Sequence, residues 1–285
     1  MRSKCVLESR RDCSEFICFQ SSLVGFMKRV DRASHELIQK TISDWLGGHG
    51  GPLEASPLLP LAEARDLHWL VLRLRVVWRD VALSREAFFQ RARSTGVIHK
   101  LDLLALDRVL VWLLAHPEWH RGIVPISQYA LLVPGCVGQV LRRVQQSGLE
   151  ANRIAIHLAT HADLDFPEHM ASVAKRFREH GITVTSNRFA PKPELDADLG
   201  LAAVFLEKRL THQLGHTESS RAAVTAIIER AGKAGIGVIA PPLHSAKNRQ
   251  QARALGVGYE CARAQDPDHM KGSGQDHVDE NGTQS

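Results

Sequence analysis

The 285 residues suffice for one large domain or two small ones, and 44% hydrophobic with 24% charged residues is the balance of a soluble globular protein. No run approaches the ~20 consecutive apolar residues of a membrane span, so no membrane partner is expected. A net charge of +5, carried largely by scattered arginines, supports only non-specific association with nucleic acid, so none is expected as a partner.

The chain opens on MRSKCVLESRRDCSEFICFQ, which is basic but lacks a continuous apolar segment and a cleavage site of the secretory type. The residues before Met27 pattern poorly, which leaves Met1 and Met27 both open as the initiator. Cys5, Cys13 and Cys18 lie here without CxxC spacing, while Cys136 and Cys261 are isolated. An odd total of five argues against a disulfide framework and for a reducing, cytoplasmic setting.

Residues 28–46 place Val30, Leu37, Ile38, Ile42, Trp45 and Leu46 on one stripe, which predicts an amphipathic helix within an N-terminal extension, 1–52. The stretch GGHGGPLEASP then reads as a turn or linker. Strands are predicted over 68–77, 122–127, 153–159, 181–186, 200–207, 235–240 and 257–262. Helices are predicted over 84–95, 101–116, 131–147, 168–180, 218–234 and 245–254, with Gly148, Gly181 and Gly235 at helix exits. Such alternation predicts parallel β/α units. About seven of them in this length favour a closed β/α barrel, placed over 57–264, with a polar, disordered tail over 265–285.

Several local patterns fail as chemical sites. His157 and His161 are four apart, but on a strand and its exit, where that spacing does not converge. They also lack the glutamate of a zinc helix, and HQLGH at 212–216 follows a predicted strand and contains a glycine. Cys136 and Cys261 in apolar runs read as core filling rather than nucleophiles. GKAGIG at 232–237 runs from helix to strand, the reverse of a phosphate loop.

Four stretches nevertheless stand in a telling order: LSREAFFQRARSTGVIHKLDLLAL, QSGLEANRIAIHLATHA, REHGITVTSNRFAP and AGKAGIGVIAPPLHSAKNRQQARALGVGYECA. Together they resemble the EAL domain, the family that hydrolyses the bacterial second messenger cyclic di-GMP. The resemblance implies a TIM-like β/α barrel whose strand ends carry acids binding divalent metal. Carried over position by position, the Glu-Ala-Leu-Leu-Arg signature falls on Trp69 to Arg73, so tryptophan replaces a metal-binding glutamate; no register within 67–78 supplies an acid. The other site positions fall on Ser127, His157, Thr160, Asn187, Arg188, Phe205, Pro241, His244 and Cys261, with Glu207 at an aspartate position.

What the resemblance implies is therefore a catalytically inactive, degenerate member, with no metal and no cofactor, acting as a regulatory or protein-interaction module. A protein partner or a homodimer is expected. The alternative is a cyclic di-GMP receptor without hydrolysis, through a basic rim of Arg73, Arg188, Lys192 and His244. Residual phosphodiesterase activity is a third reading.

Overall fold

The computed structural model describes residues 35–61, 67–78, 81–160, 167–189, 199–214 and 217–270. The chain forms two compact units, one of residues up to Gly50 with Val76–Ala92, the other of Gly51–Arg75 with the chain from Arg93 onward.

In the first unit, residues 35–44 form helix α1, which runs into a π segment, Trp45–His49. Residues 28–34 of the predicted helix lie outside the described residues. The predicted stripe is real where it is described: Ile38, Ile42 and Trp45 are all buried. Strands β3 (Val77–Trp78) and β4 (Val81–Ala82) form a short antiparallel pair, followed by helix α2 (Arg85–Ser94). Trp45 packs against Phe88 with ring centroids 5.1 Å apart, and Lys40 lies over the Trp78 ring.

The second unit is the predicted closed barrel, with eight strands rather than seven. Its strands are β1 (Leu53–Pro60), β2 (Trp69–Leu74), β5 (Arg121–Ser127), β6 (Ile154–Ala159), β7 (Thr183–Ser186), β8 (Ala203–Phe205), β9 (Gly237–Ala240) and β10 (Tyr259–Cys261). All neighbouring pairs are parallel except those of β1, which runs antiparallel to both β2 and β10. Around them lie α3 (Ile98–Ala115), α4 (Gln128–Leu131), α5 (Cys136–Ser147), α6 (Pro167–Glu179), α7 (Lys208–Gln213), α8 (Glu218–Ala234) and α9 (Ala246–Leu255).

Strands buried on both faces read as apolar runs, because alternate side chains face the barrel interior and the helices. The interior set is Leu58, Val71, Ile123, Ala155, Ala203, Ile239 and Cys261, with Trp69, Phe205 and Tyr259 packed against it. The small residues Ala155 and Ala203 leave the room those rings need. The alternate residues, such as Leu72, Val124, Ile156 and Val204, join Leu106, Leu113, Val140 and Phe177 in the larger core under the helices.

Four expectations are corrected. Residues 53–57, taken for linker, belong to β1: Pro57, Pro60 and Glu54 disguise a strand that pairing on both sides nevertheless secures. The barrel thus begins at Leu53 rather than 57. The strand predicted over 68–77 stops at Leu74, and Val77–Trp78 pairs elsewhere. The helix predicted over 131–147 is two, because Pro134 precedes Gly135 at φ 80, a left-handed conformation that ends one turn and starts another. The tail expected to be disordered from 265 begins folded: Ala55 and Gln265 exchange backbone hydrogen bonds of 2.9 Å, and Asp268 accepts one from Trp112 Nε1. Residues 271–285 lie outside the described residues.

Gly122 on β5 marks the tightest helix–sheet approach, since a Cβ there would lie 2.6 Å from Leu113 Cδ1 and 3.2 Å from Leu72 Cδ1. Gly122→Ala is expected to destabilise the fold by about 1–3 kcal/mol through overpacking, read as a lowered urea midpoint at unchanged slope.

Candidate functional site

In a β/α barrel the chemistry-bearing positions lie where the parallel strands end. Here that end is formed by Arg73–Leu74, Ser127, Ala159–Thr160, Ser186–Arg188, Phe205 and Ala240–Pro241.

Trp69 is not among them. It opens β2 and pairs with Arg121, the first residue of β5, so it lies at the opposite end of the barrel, with the Arg121 guanidinium 4.2 Å over its ring. The inward position near the strand end is Arg73. Continuing the Val71↔Ile123 register by one inward step sets Arg73 beside Pro125, and Pro125 pairs with His157, which pairs with Thr185. Arg73 is held by Glu54 on β1, Nε to Oε1 at 2.5 Å. One inward band of the barrel mouth therefore reads Glu54, Arg73, Pro125, His157, Thr185.

His157 hydrogen-bonds through Nδ1 with Thr185 Oγ1 at 3.2 Å and meets Phe205 edge-on at 4.7 Å. Burial in this mouth pushes its pKa down to about 4, so the ring is neutral at pH 7. Asn187 is fully engaged with Thr160: its Oδ1 accepts from Thr160 N at 2.9 Å and Oγ1 at 2.8 Å, while its Nδ2 donates to Thr160 O at 3.1 Å. Ser127 N donates to the buried Asp102 Oδ2 at 2.8 Å, and the buried Ser127 hydroxyl has no partner. Pro241 offers neither a donor nor a polar side chain.

The acid of the last strand faces away from the interior. Glu260 is gripped by Arg249 on α9, Nε to Oε2 at 2.7 Å and Nη2 to Oε1 at 3.1 Å. Its neighbour Cys261 points inward, and burial raises the thiol to about 12; Cys136 on α5 is likewise raised, to about 11. Burial thus favours the protonated thiol at both positions at pH 7. Among the described residues no group of three or more His, Cys, Asp or Glu side chains is placed to hold a metal ion.

Residues 57–261 match the family model described as EAL domain. The chain belongs to the EAL-domain family. Solved structures agree on the fold. The FimX EAL domain of Xanthomonas citri, in complex with c-diGMP, superposes with a TM-score of 0.70 at 17% identity, covering 86% of this chain and 99% of that one. The PaMucR phosphodiesterase, a c-di-GMP complex, gives 0.69 at 14% identity over 79% and 94%. The FimX EAL domain from Pseudomonas aeruginosa, bound to c-di-GMP, gives 0.62 at 15% identity over 79% and 93%. No curated protein matches the chain in sequence.

Three residues of the expected basic rim are described in this EAL barrel. Arg73 is neutralised by Glu54, Arg188 is exposed at the exit of β7, and His244 packs edge-on against His212 of α7, ring centroids 5.2 Å apart. Lys192, His161 and His216 lie outside the described residues, as do Cys5, Cys13 and Cys18. Sequence reasoning missed Glu54, Asp102 and Thr185, the partners that fix the mouth. Alternation of Leu53 and Ala55 about Glu54 was the available signal for the first.

The histidine has a pH signature. A folded-state pKa below the ordinary 6.5 means that the unfolded chain binds the extra proton between about 4 and 6.5. This contribution to stability is complete above pH 6.5 and is lost progressively as pH falls toward 4. Ring-proton NMR is expected to show His157 titrating near 4, and His157→Gln should flatten the stability profile across that window.

Proposed function

We propose that this EAL barrel is catalytically inactive and works as a regulatory or protein-interaction module in bacterial cyclic di-GMP-related signalling. One observation carries the reading: the inward position level with His157 holds Arg73, paired with Glu54. Divalent magnesium or manganese takes oxygen ligands, chiefly carboxylates. A guanidinium beside the metal position repels the cation, and the one inward carboxylate of this band already serves Arg73. The neighbouring positions supply a neutral imidazole, a proline and an amide fully engaged with Thr160. In this reading the EAL signature glutamate corresponds to Arg73 rather than Trp69, and the remaining acidic positions to His157, Asn187 and Pro241.

The module would act in the cytoplasm through a protein partner or a second copy of itself. None of the described helices is long and apolar enough to cross a membrane. A second reading, a receptor that binds cyclic di-GMP without hydrolysis, is favoured by the FimX domains of like fold, which were solved with c-di-GMP bound. Its basic rim would consist of Arg188, Lys192 and His244, with Arg73 available only if Glu54 releases it.

The test is incubation of the full chain with cyclic di-GMP and manganese, followed by chromatography, alongside calorimetric titration with the same nucleotide. No linear dinucleotide and no saturable heat are expected. Saturable micromolar binding without product would establish the receptor reading. Release of the linear dinucleotide at enzymatic rates would refute the proposal.

A further inference from the structure

The amino-terminal end of the barrel, opposite the mouth, carries a feature independent of the reading above. The α3–β5 and α5–β6 loops enclose an open cavity of about 560 Å³, lined among others by Leu114, Pro117, His120, Arg121, Glu150 and Arg153.

Arg121 is the unusual member. Its guanidinium is half-buried against the Trp69 ring, and Nε donates to Asn152 O at 2.5 Å. Among the described residues no carboxylate pairs with it; burial accordingly lowers its pKa, as for a cation whose lost water is not replaced by a counter-charge. Glu150 lines the same cavity but is exposed and makes no ion pair with Arg121. Arg153 is committed elsewhere. Its Nη2 donates to the carbonyls of Leu113, His116 and Trp119 at 2.9–3.0 Å, which offsets the negative end of α3 where that helix abuts the cavity. His120 stands next to Arg121, its ring 5.2 Å from that of His68, and its N–H donates to His68 O. His68 has φ 47, the one non-glycine residue with positive φ among those described. The His68 ring lies against that of His120, which lines the cavity.

We propose that this cavity binds a small oxyanion-bearing molecule, phosphate or carboxylate, with Arg121 as the principal partner and His120 as a second donor. A guanidinium fork pairs two oxygens of such a group, and a half-buried one without a counterion among the described residues gains most from doing so. The cavity exceeds a bare phosphate, and Leu114, Pro117 and Leu149 give apolar wall for the rest of the ligand. Glu150 opposes an anion and is the natural tuning residue.

The test is calorimetric titration of the full chain at low ionic strength, with inorganic phosphate in one arm and citrate in the other. Saturable one-to-one binding is expected in at least one arm, and the arm that responds identifies the oxyanion. Arg121→Gln should weaken it at least about tenfold, the usual loss for a charged hydrogen-bonded pair. Glu150→Gln, an exposed change without structural risk, should tighten it by roughly two- to fivefold. Arg221→Gln, on the exposed side of α8 and outside both sites, should leave it unchanged. Should Arg121→Gln fail to fold by circular dichroism, the contrast between Glu150→Gln and Arg221→Gln decides alone. Absence of saturable heat in both arms overturns the proposal, as does binding indifferent to Glu150→Gln or removed by Arg221→Gln. None of these outcomes involves the residues of the barrel mouth.

Discussion

The ion pair between Arg73 and Glu54 sits at the junction on which the barrel closes. Within the barrel β1 alone runs against both of its neighbours, and it must pair with the first and last parallel strands together to complete the ring. Glu54 and Arg73 face each other across one of those seams, inside the barrel and only partly exposed, at 20% and 35%. Removing either partner alone would leave the other charge short of water and without a counter-charge, so the pair fixes which two residues must occur together. It also fixes what the mouth can do. A guanidinium aimed into the space between strand ends leaves the interior satisfied from within.

The rest of the mouth follows the same logic. Asn187 and Thr160 satisfy each other across the exits of β6 and β7, Ser186 Oγ donates to Leu158 O, and His157 shares a hydrogen bond with Thr185. Arg249 draws Glu260 to the helix side. A reactive site keeps polar groups converging on a point that a substrate will occupy. Here Arg73, Asn187, Thr160 and His157 already have protein partners, and Pro241 adds no polar group. Among the described residues the buried Ser127 hydroxyl has no partner, while Ser127 N donates to Asp102.

Much of this was legible in the sequence. Apolar runs gave the parallel strands because both of their faces are buried, and glycine at 148, 181 and 235 marked helix ends because each takes a positive φ there. β1 was not legible, since Pro57 and Pro60 argue against a strand and only tertiary pairing overrides them. Trp69 shows a different limit. Motif spacing named a five-residue window on β2 but not the height of each residue in the barrel, and height is set by pairing with β5. Under the proposed reading, that register moves the position of interest from Trp69 to Arg73. The absence of an acid over 67–78 holds for either residue. Glu54 escaped notice for the same reason as its strand.

The central claim is that arginine and its partner occupy the place where divalent metal would bind. Electron paramagnetic resonance of manganese, titrated into the full chain with cyclic di-GMP present, tests it without relying on turnover. The account predicts that the free-ion signal grows in proportion to added manganese from the first aliquot. A signal suppressed until one or two equivalents have been added, and restored in an Arg73→Ala/Glu54→Ala double variant, would contradict it.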